Sequence, residues 1–253
     1  MKRLYLRLTT IIILTCSLLP AWPMTKLDAV NQKIIADFRQ QYLTKQQIQE
    51  KLVEQYIHDK NKVKQGLLKM ATLDEKVRVD VMDKVLEQCQ NKNLECSNDY
   101  NEAGFLVMEL DEINLTLLKI FMKKYSWFKI SEFGEDGAEA AWLIVQHSDD
   151  VGLKAKVLFI IEHLLKTGEA KPEQYALLHD RLSLEFKDLG IKQRYGSQFS
   201  LSEDHKKLIF EPCEGSIKQI DIKRKQIGLM PLKENTERLV KENHIKEVVG
   251  LDF

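Results

Sequence analysis

A mainly α fold is expected for this chain: a helical N-terminal region packed on a helical C-terminal domain that carries one small β-hairpin. Three observations carry the expectation. Apolar residues recur at three- and four-residue spacing through most of the 253 residues. Only 11 Gly and 5 Pro interrupt them, too few for a loop-rich or all-β protein. A hydrophobic share of 44% beside 30% charged residues is the composition of a folded domain rather than a disordered one. Basic and acidic residues balance at 38 each, which supports neither a nucleic-acid interface nor a surface for anionic membranes. No repeat of 20–50 residues is evident.

The first 21 residues read as a leader. Lys2, Arg3 and Arg7 precede an apolar run from Leu8 to Leu19, and Pro20-Ala21 offers a cleavage region with Ala21 last before the cut. The run is shorter than the roughly 20 residues that cross a bilayer, so a signal peptide is favoured over an anchor. Membrane contact would then come only through this segment while uncleaved. A lipoprotein reading through Cys16 ranks second, because Thr15 is poorly suited to the position before it and the apolar run continues past it. The expected destination is the periplasm or the medium. Cutting after Ala21 removes three basic residues and no acidic one, which leaves a net charge of −3. In an oxidising compartment Cys89 and Cys96 could close a small loop between two helices, with Cys213 the odd thiol. A partly buried, inert Cys213 is favoured over a nucleophile, since no His lies near it in sequence.

Residues 22–126 form the helical N-terminal region. Asp28 opens it, and Ile34, Phe38 and Tyr42 recur every four residues. Thr44 with Gln47, and Thr72 with Glu75, have the capping-box form, so a new helix is expected after each. Leu73, Val77, Val81, Val85 and Cys89 then repeat, and after a polar break Leu106, Leu110, Ile113, Leu117 and Ile120 share one face of a longer helix. Asn114-Leu115-Thr116 fits a glycosylation sequon but falls on that helix.

Residues 127–253 differ. Trp127 to Ser131 is aromatic and extended, Gly134 and Gly137 make a loop, and a helix holds Ala138 to His147. Asp149 or Asp150 caps the next, Val151 to Lys166, which Gly168 ends. Pro172 starts another that closes at Gly190. Tyr195–Phe199 and Leu208–Glu211 read as two short strands with a turn at Ser202–His205. Ser216 caps a last substantial helix, and the apolar tail from Val248 can pack back.

Polar residues gather in this half where the period predicts core or plain surface, a mismatch that often marks a functional site. His147 extends the buried stripe of Ala140, Leu143 and Ile144, with Gln146, Asp149 and Asp150 around it. An imidazole oriented by a carboxylate is the common acid/base arrangement; a capping or core histidine is the equal alternative. Arg181, bracketed by Leu177, Leu178 and Leu184, sits at the core edge beside Asp180 and needs a carboxylate, a carbonyl or an anionic ligand, with the structural pair favoured. Gln193, Tyr195 and Gln198 belong to a dense polar loop around Gly196 that can line a pocket or pair with backbone. Asp221, Lys223 and Arg224 read by default as a solvated helix face. His147 and Asp149 or Asp150 could hold a metal with His163 or His179, a weak signal because no pair has zinc-helix spacing; no Walker loop, dinucleotide fingerprint or nucleophile elbow is present, and the cofactor stays open.

Several of these runs together resemble the bacterial family called domain of unknown function 6624. They are Ala141-Trp142-Leu143-Ile144-Val145-Gln146-His147-Ser148-Asp149, Asp180-Arg181, Gln193-x-Tyr195-Gly196-Ser197-Gln198, Pro212, Asp221-x-Lys223-Arg224 and Gly228-Leu229-x-Pro231-Leu232. Order and spacing agree over about residues 127–235. Ser197 stands where the family more often has Thr, and Cys213-Glu214 departs from its usual aliphatic-acidic pair. The resemblance implies a bacterial source, a helical domain, and that His147, Asp149, Asp180, Arg181, Gln193, Tyr195 and Gln198 belong together. It implies no activity.

Two functions follow as expectations. In the first, these residues with Gln146 line a pocket for a small polar or anionic envelope ligand, with His147 the acid/base, Asp149 or Asp180 its orienter and Arg181 the anion anchor. In the second, they form a buried network that fixes the fold, and the N-terminal helices bind an envelope protein.

Overall fold

The computed structural model describes residues 28–85, 87–88, 97–202, 206–243 and 245–251. The leader and the Cys89–Cys96 pair lie outside them. The chain divides into two compact units: within the described residues, one holds 28–128 and 133–148, the other 129–132 and 149–251.

In the first unit, α1 (Ala29–Phe38) runs without interruption through a π-helical stretch, Arg39–Leu43, into α2 (Thr44–Leu52). Asp28 caps it by accepting from the Val30 N–H, and its own N–H donates to Asp99. Thr44 starts no new helix; its hydroxyl donates back to the Arg39 carbonyl, a bond open to Thr within a helix. The same holds for Thr72, whose hydroxyl donates to Leu68 O inside α3 (Lys60–Lys76). The true cap of α3 is Asp59, which accepts from the Asn61 and Lys62 N–H groups. A π-helical stretch, Val77–Asp83, continues α3, and α4 (Ser97–Tyr125) follows.

Val63, Leu67, Met70, Val77 and Val81 of the α3 stretch are buried, as are Leu106, Leu110, Leu117 and Phe121 of α4. Gly66 lets the two helices approach: a Cβ there would meet the Phe121 ring at 3.2 Å. Asn114 is fully buried, accepting from the Gln46 amide and donating to Met70 O, so the sequon is a core residue. α5 (Ile130–His147) is broken at Gly134, whose φ of 74° is non-helical. Phe133 stacks edge-on to Tyr125 and Phe128, which anchors the arm that leads to His147.

The second unit begins with α6 (Val151–Leu165), capped by Asp150 through the Leu153 N–H, and α7 (Pro172–Leu184). Its small sheet has three strands rather than the two of a lone hairpin. β1 (Phe199–Leu201) pairs antiparallel with β2 (Lys207–Phe210), and the C-terminal tail supplies β3 (Glu247–Val249), parallel to β2. α8 (Ile217–Gln226) and α9 (Leu232–Asn243) complete the unit. Phe199, Leu208, Phe210, Ile220, Leu232 and Leu239 form its core. No helix among the described residues is long and apolar enough to cross a membrane.

Candidate functional site

In the first unit a charged cluster surrounds the end of α5. His147 Nδ1 lies 3.0 and 2.9 Å from the two carboxylate oxygens of Asp74 on α3. The Asp74 side chain has no exposure and that of His147 keeps 5%. Arg78, one turn further along, donates to Asp74 at 2.6 Å and reaches across to Asp111 of α4 at 2.8 Å. Four side chains from three helices thus bring together two carboxyls, one fixed positive charge and one titratable ring.

Their environments push the two carboxyls apart. For Asp74 burial works upward, but His147 and then Arg78 more than offset it and hold the group below the usual carboxylate range. For Asp111 burial dominates: Arg78 pulls down, Asp74 adds to the rise, and the carboxyl reaches about 7. A pair separated in this way can hold and release a proton near neutral pH, the property acid/base sites use.

The raised value has a consequence for stability. Between about pH 4 and pH 7 the folded chain keeps a proton on Asp111 that the unfolded chain has released, so this group makes stability fall as pH rises through that window. Asp74 acts oppositely, and its contribution, present above its unfolded value, is lost as acidification passes its folded one. Asp111→Asn is therefore expected to gain stability relative to the native chain between about pH 5 and pH 8, read as a rise in the difference between their urea midpoints. A difference that stays flat across that range would contradict the raised carboxyl.

In the second unit the motif residues are absorbed by a loop. Asp180 is fully buried and accepts from the N–H groups of Arg194 (2.7 Å), Tyr195 (3.1 Å) and Ser197 (3.0 Å), and from the Ser197 hydroxyl (2.9 Å). His179 Nδ1 lies 3.3 Å from the same carboxylate. Gln193 donates to the carbonyls of Gln198 and Glu211 and accepts from the Gln198 N–H, a side-chain clamp across the loop. Gln198 donates to Leu177 O. Arg224 is buried rather than solvated: Nη1 donates to Tyr195 O and Nε to Met230 O, both at 2.7 Å. Asp221 accepts from the Leu232 N–H and so starts α9. These bonds also explain why β1 begins at Phe199 and not at Tyr195: the intervening N–H groups are committed to Asp180 and Gln193, not to a strand partner.

Gly196 completes the loop. Its φ of 62° is left-handed, and a Cβ would sit 2.9 Å from Leu232 Cδ2. Gly196→Ala is expected to destabilise by about 2 kcal/mol, from the left-handed backbone and the displaced leucine together. A melting temperature unchanged from the native chain would contradict this.

The remaining candidates fall as follows. Gln146 and Arg181 are buried, and Asp149 is exposed just ahead of the Asp150 cap. Tyr195 packs edge-on to His179 and Tyr175, and burial, helped by Tyr175, pushes its phenol up to about 12. Cys213 is a free, half-buried thiol that burial pushes up to about 11, an unreactive state at neutral pH. Among the described residues no group of three His, Cys, Asp or Glu is placed to hold a metal.

Of the four residues in this cluster the sequence singles out His147; Asp74, Arg78 and Asp111 enter only with the fold. The signal was there for Asp74: positions 63, 67, 70, 74, 77 and 81 alternate at four and three, and only 74 is charged. A family model described as a family of unknown function, DUF6624, matches residues 61–248, a span that takes in both the cluster and the loop. No curated protein and no solved structure matches.

Proposed function

This chain belongs to the DUF6624 family, and we propose that it is an exported protein whose first unit carries an acid/base centre for hydrolysis or group transfer on a small polar envelope substrate. The observation that carries the reading is the pair of Asp74 oxygens within 3.0 Å of His147 Nδ1. A carboxylate at Nδ1 fixes the ring and its tautomer, so Nε2, itself buried, is the atom that would exchange a proton with a substrate admitted to it. His147 is the acid/base and Asp74 the positioning residue. Arg78 offsets the charge, and Asp111, near its midpoint at neutral pH, is a second proton store. Export rests on the sequence of the leader.

The second unit favours the other expectation. Asp180, Gln193, Gln198 and Arg224 direct their bonds to backbone, so there the polar motif is a fold-fixing network.

The test is turnover of p-nitrophenyl acetate and p-nitrophenyl phosphate by the native chain and by His147→Asn, each with its melting temperature. A loss of about 100-fold or more in the variant, assayed well below a melting temperature that the broken Asp74 pair will lower, is expected. Equal rates in both proteins, or no turnover by the native chain on either ester, would overturn the reading.

A further inference from the structure

Within the second unit lies an open cavity of about 620 Å³, distinct from the His147 centre in residues and in chemistry. Its floor is apolar: Leu158 of α6, Leu182 of α7, and Phe186, Leu189 and Ile191 of the turn that follows. Three of these are unusually open to solvent, Phe186 at 41%, Leu189 at 78% and Ile191 at 50%. Large apolar side chains grouped in a concavity carry a solvation cost that an apolar occupant would relieve.

The rim is cationic. Lys192 and Arg194 line it together with His179. The acidic rim residue, Glu214, is held by Lys223 at 2.7 Å, and Lys223 before all else keeps its carboxyl below the ordinary range. Among the described residues no carboxylate comes within salt-bridge distance of Lys192 or Arg194; Glu214 feels the Arg194 charge only after that of Lys223, and the Arg194 guanidinium lies 5.8 Å from the Tyr195 ring centre. The rim is also built to stay in place. Asp180 holds the Arg194 N–H, and Gln193 is bonded to Pro212 O on one side and to the Glu214 N–H on the other. The loop network thus holds the backbone that carries two cations beside an apolar trough.

We infer that this trough binds a single-chain amphipathic anion, its alkyl part on Leu158, Leu182, Phe186, Leu189 and Ile191 and its carboxylate at Lys192 and Arg194. Charge complementarity selects an anion, and the exposed apolar floor requires more than an inorganic one. The volume lies within the range of pockets that enclose one small molecule. A free carboxylate is the committed source, because the apolar residues line a concavity and an anionic bilayer is best met by a flat or convex surface.

Calorimetric titration of the full chain with decanoate, with decanol and with phosphatidylglycerol vesicles tests this. Saturable decanoate binding is expected, weaker by about tenfold or more in Lys192→Gln/Arg194→Gln, as loss of a charged contact predicts. Leu189→Ser should also weaken it, while decanol affinity should not respond to the charge substitutions. All three positions are exposed, so the variants should melt with the native chain. Absence of saturable decanoate binding, or equal binding by the charge variant, would overturn the inference. So would vesicle binding that the charge variant loses while decanoate fails to bind. None of these outcomes bears on His147, which belongs to the other unit.

Discussion

Replacing Asp180 with alanine is expected to cost at least about 3–4 kcal/mol, the larger of the two strongest effects. The carboxylate satisfies three backbone N–H groups and one hydroxyl, and the Tyr195 N–H is buried where water cannot replace the bond. Each buried donor left unmade costs roughly 1–3 kcal/mol, so three donors outweigh what the smaller side chain gains in freedom. For a chain of this size the corresponding fall in melting temperature is about 10 °C. Amide exchange at Arg194, Tyr195 and Ser197 should lose its protection in the same variant. Asp180→Asn keeps an acceptor but exchanges one oxygen for a donor that faces N–H groups, so it should lie between the two. An alanine variant within about 1 kcal/mol of the native chain would show that the loop holds without its carboxylate.

Asp74→Ala is expected to cost about 3 kcal/mol and to end any activity that depends on His147. Removing one partner of a buried ion pair strands the other, and the usual penalty is about 3–5 kcal/mol. The lower figure applies because Asp111 remains 2.8 Å from Arg78. With Asp74 gone, the neighbour that helps hold the Asp111 carboxyl up is lost, and Asp111 can ionise and take over the guanidinium. Asp111→Asn in the Asp74→Ala background should therefore cost more than the two single changes added together. Additive costs would show that Arg78 is not shared between the two carboxylates.

Much of the helical plan can be read from spacing and caps alone. Asp150, Pro172 and Ser216 start helices where local chemistry says they should, and the φ values of Gly168, Gly190 and Gly228 are left-handed at the turns that follow helices. The misreadings share one cause. Thr44 and Thr72 carry a start signal, but a hydroxyl can equally bond back within a continuing helix, and local sequence does not decide between the two. Tyr195–Gln198 has strand composition, yet its N–H groups bond a carboxylate some fifteen residues upstream, a partner no local pattern indicates.

The candidate site divides in the same way. Glutamine, serine and aspartate at fixed intervals signal that something polar is being organised, but not whether the partner is a ligand or the chain's own backbone. Here the loop motif resolves into backbone bonds, and the buried ring of His147 takes its carboxylate from a helix 73 residues earlier in the chain. Separation of that size is invisible to spacing arguments. What could have exposed it was a single charged residue, Asp74, in an otherwise apolar heptad-like row.

The most direct measurement is the long-range nitrogen-15 spectrum of the His147 imidazole in its neutral form, recorded for the native chain and for Asp74→Asn. The account predicts a proton on Nδ1 of the native ring and a lone pair on Nε2, with a strongly hydrogen-bonded Nδ1 proton that weakens or shifts to Nε2 in the variant. A native ring that carries its proton on Nε2, or a spectrum unchanged by the substitution, would contradict the claim that Asp74 sets this histidine for proton transfer.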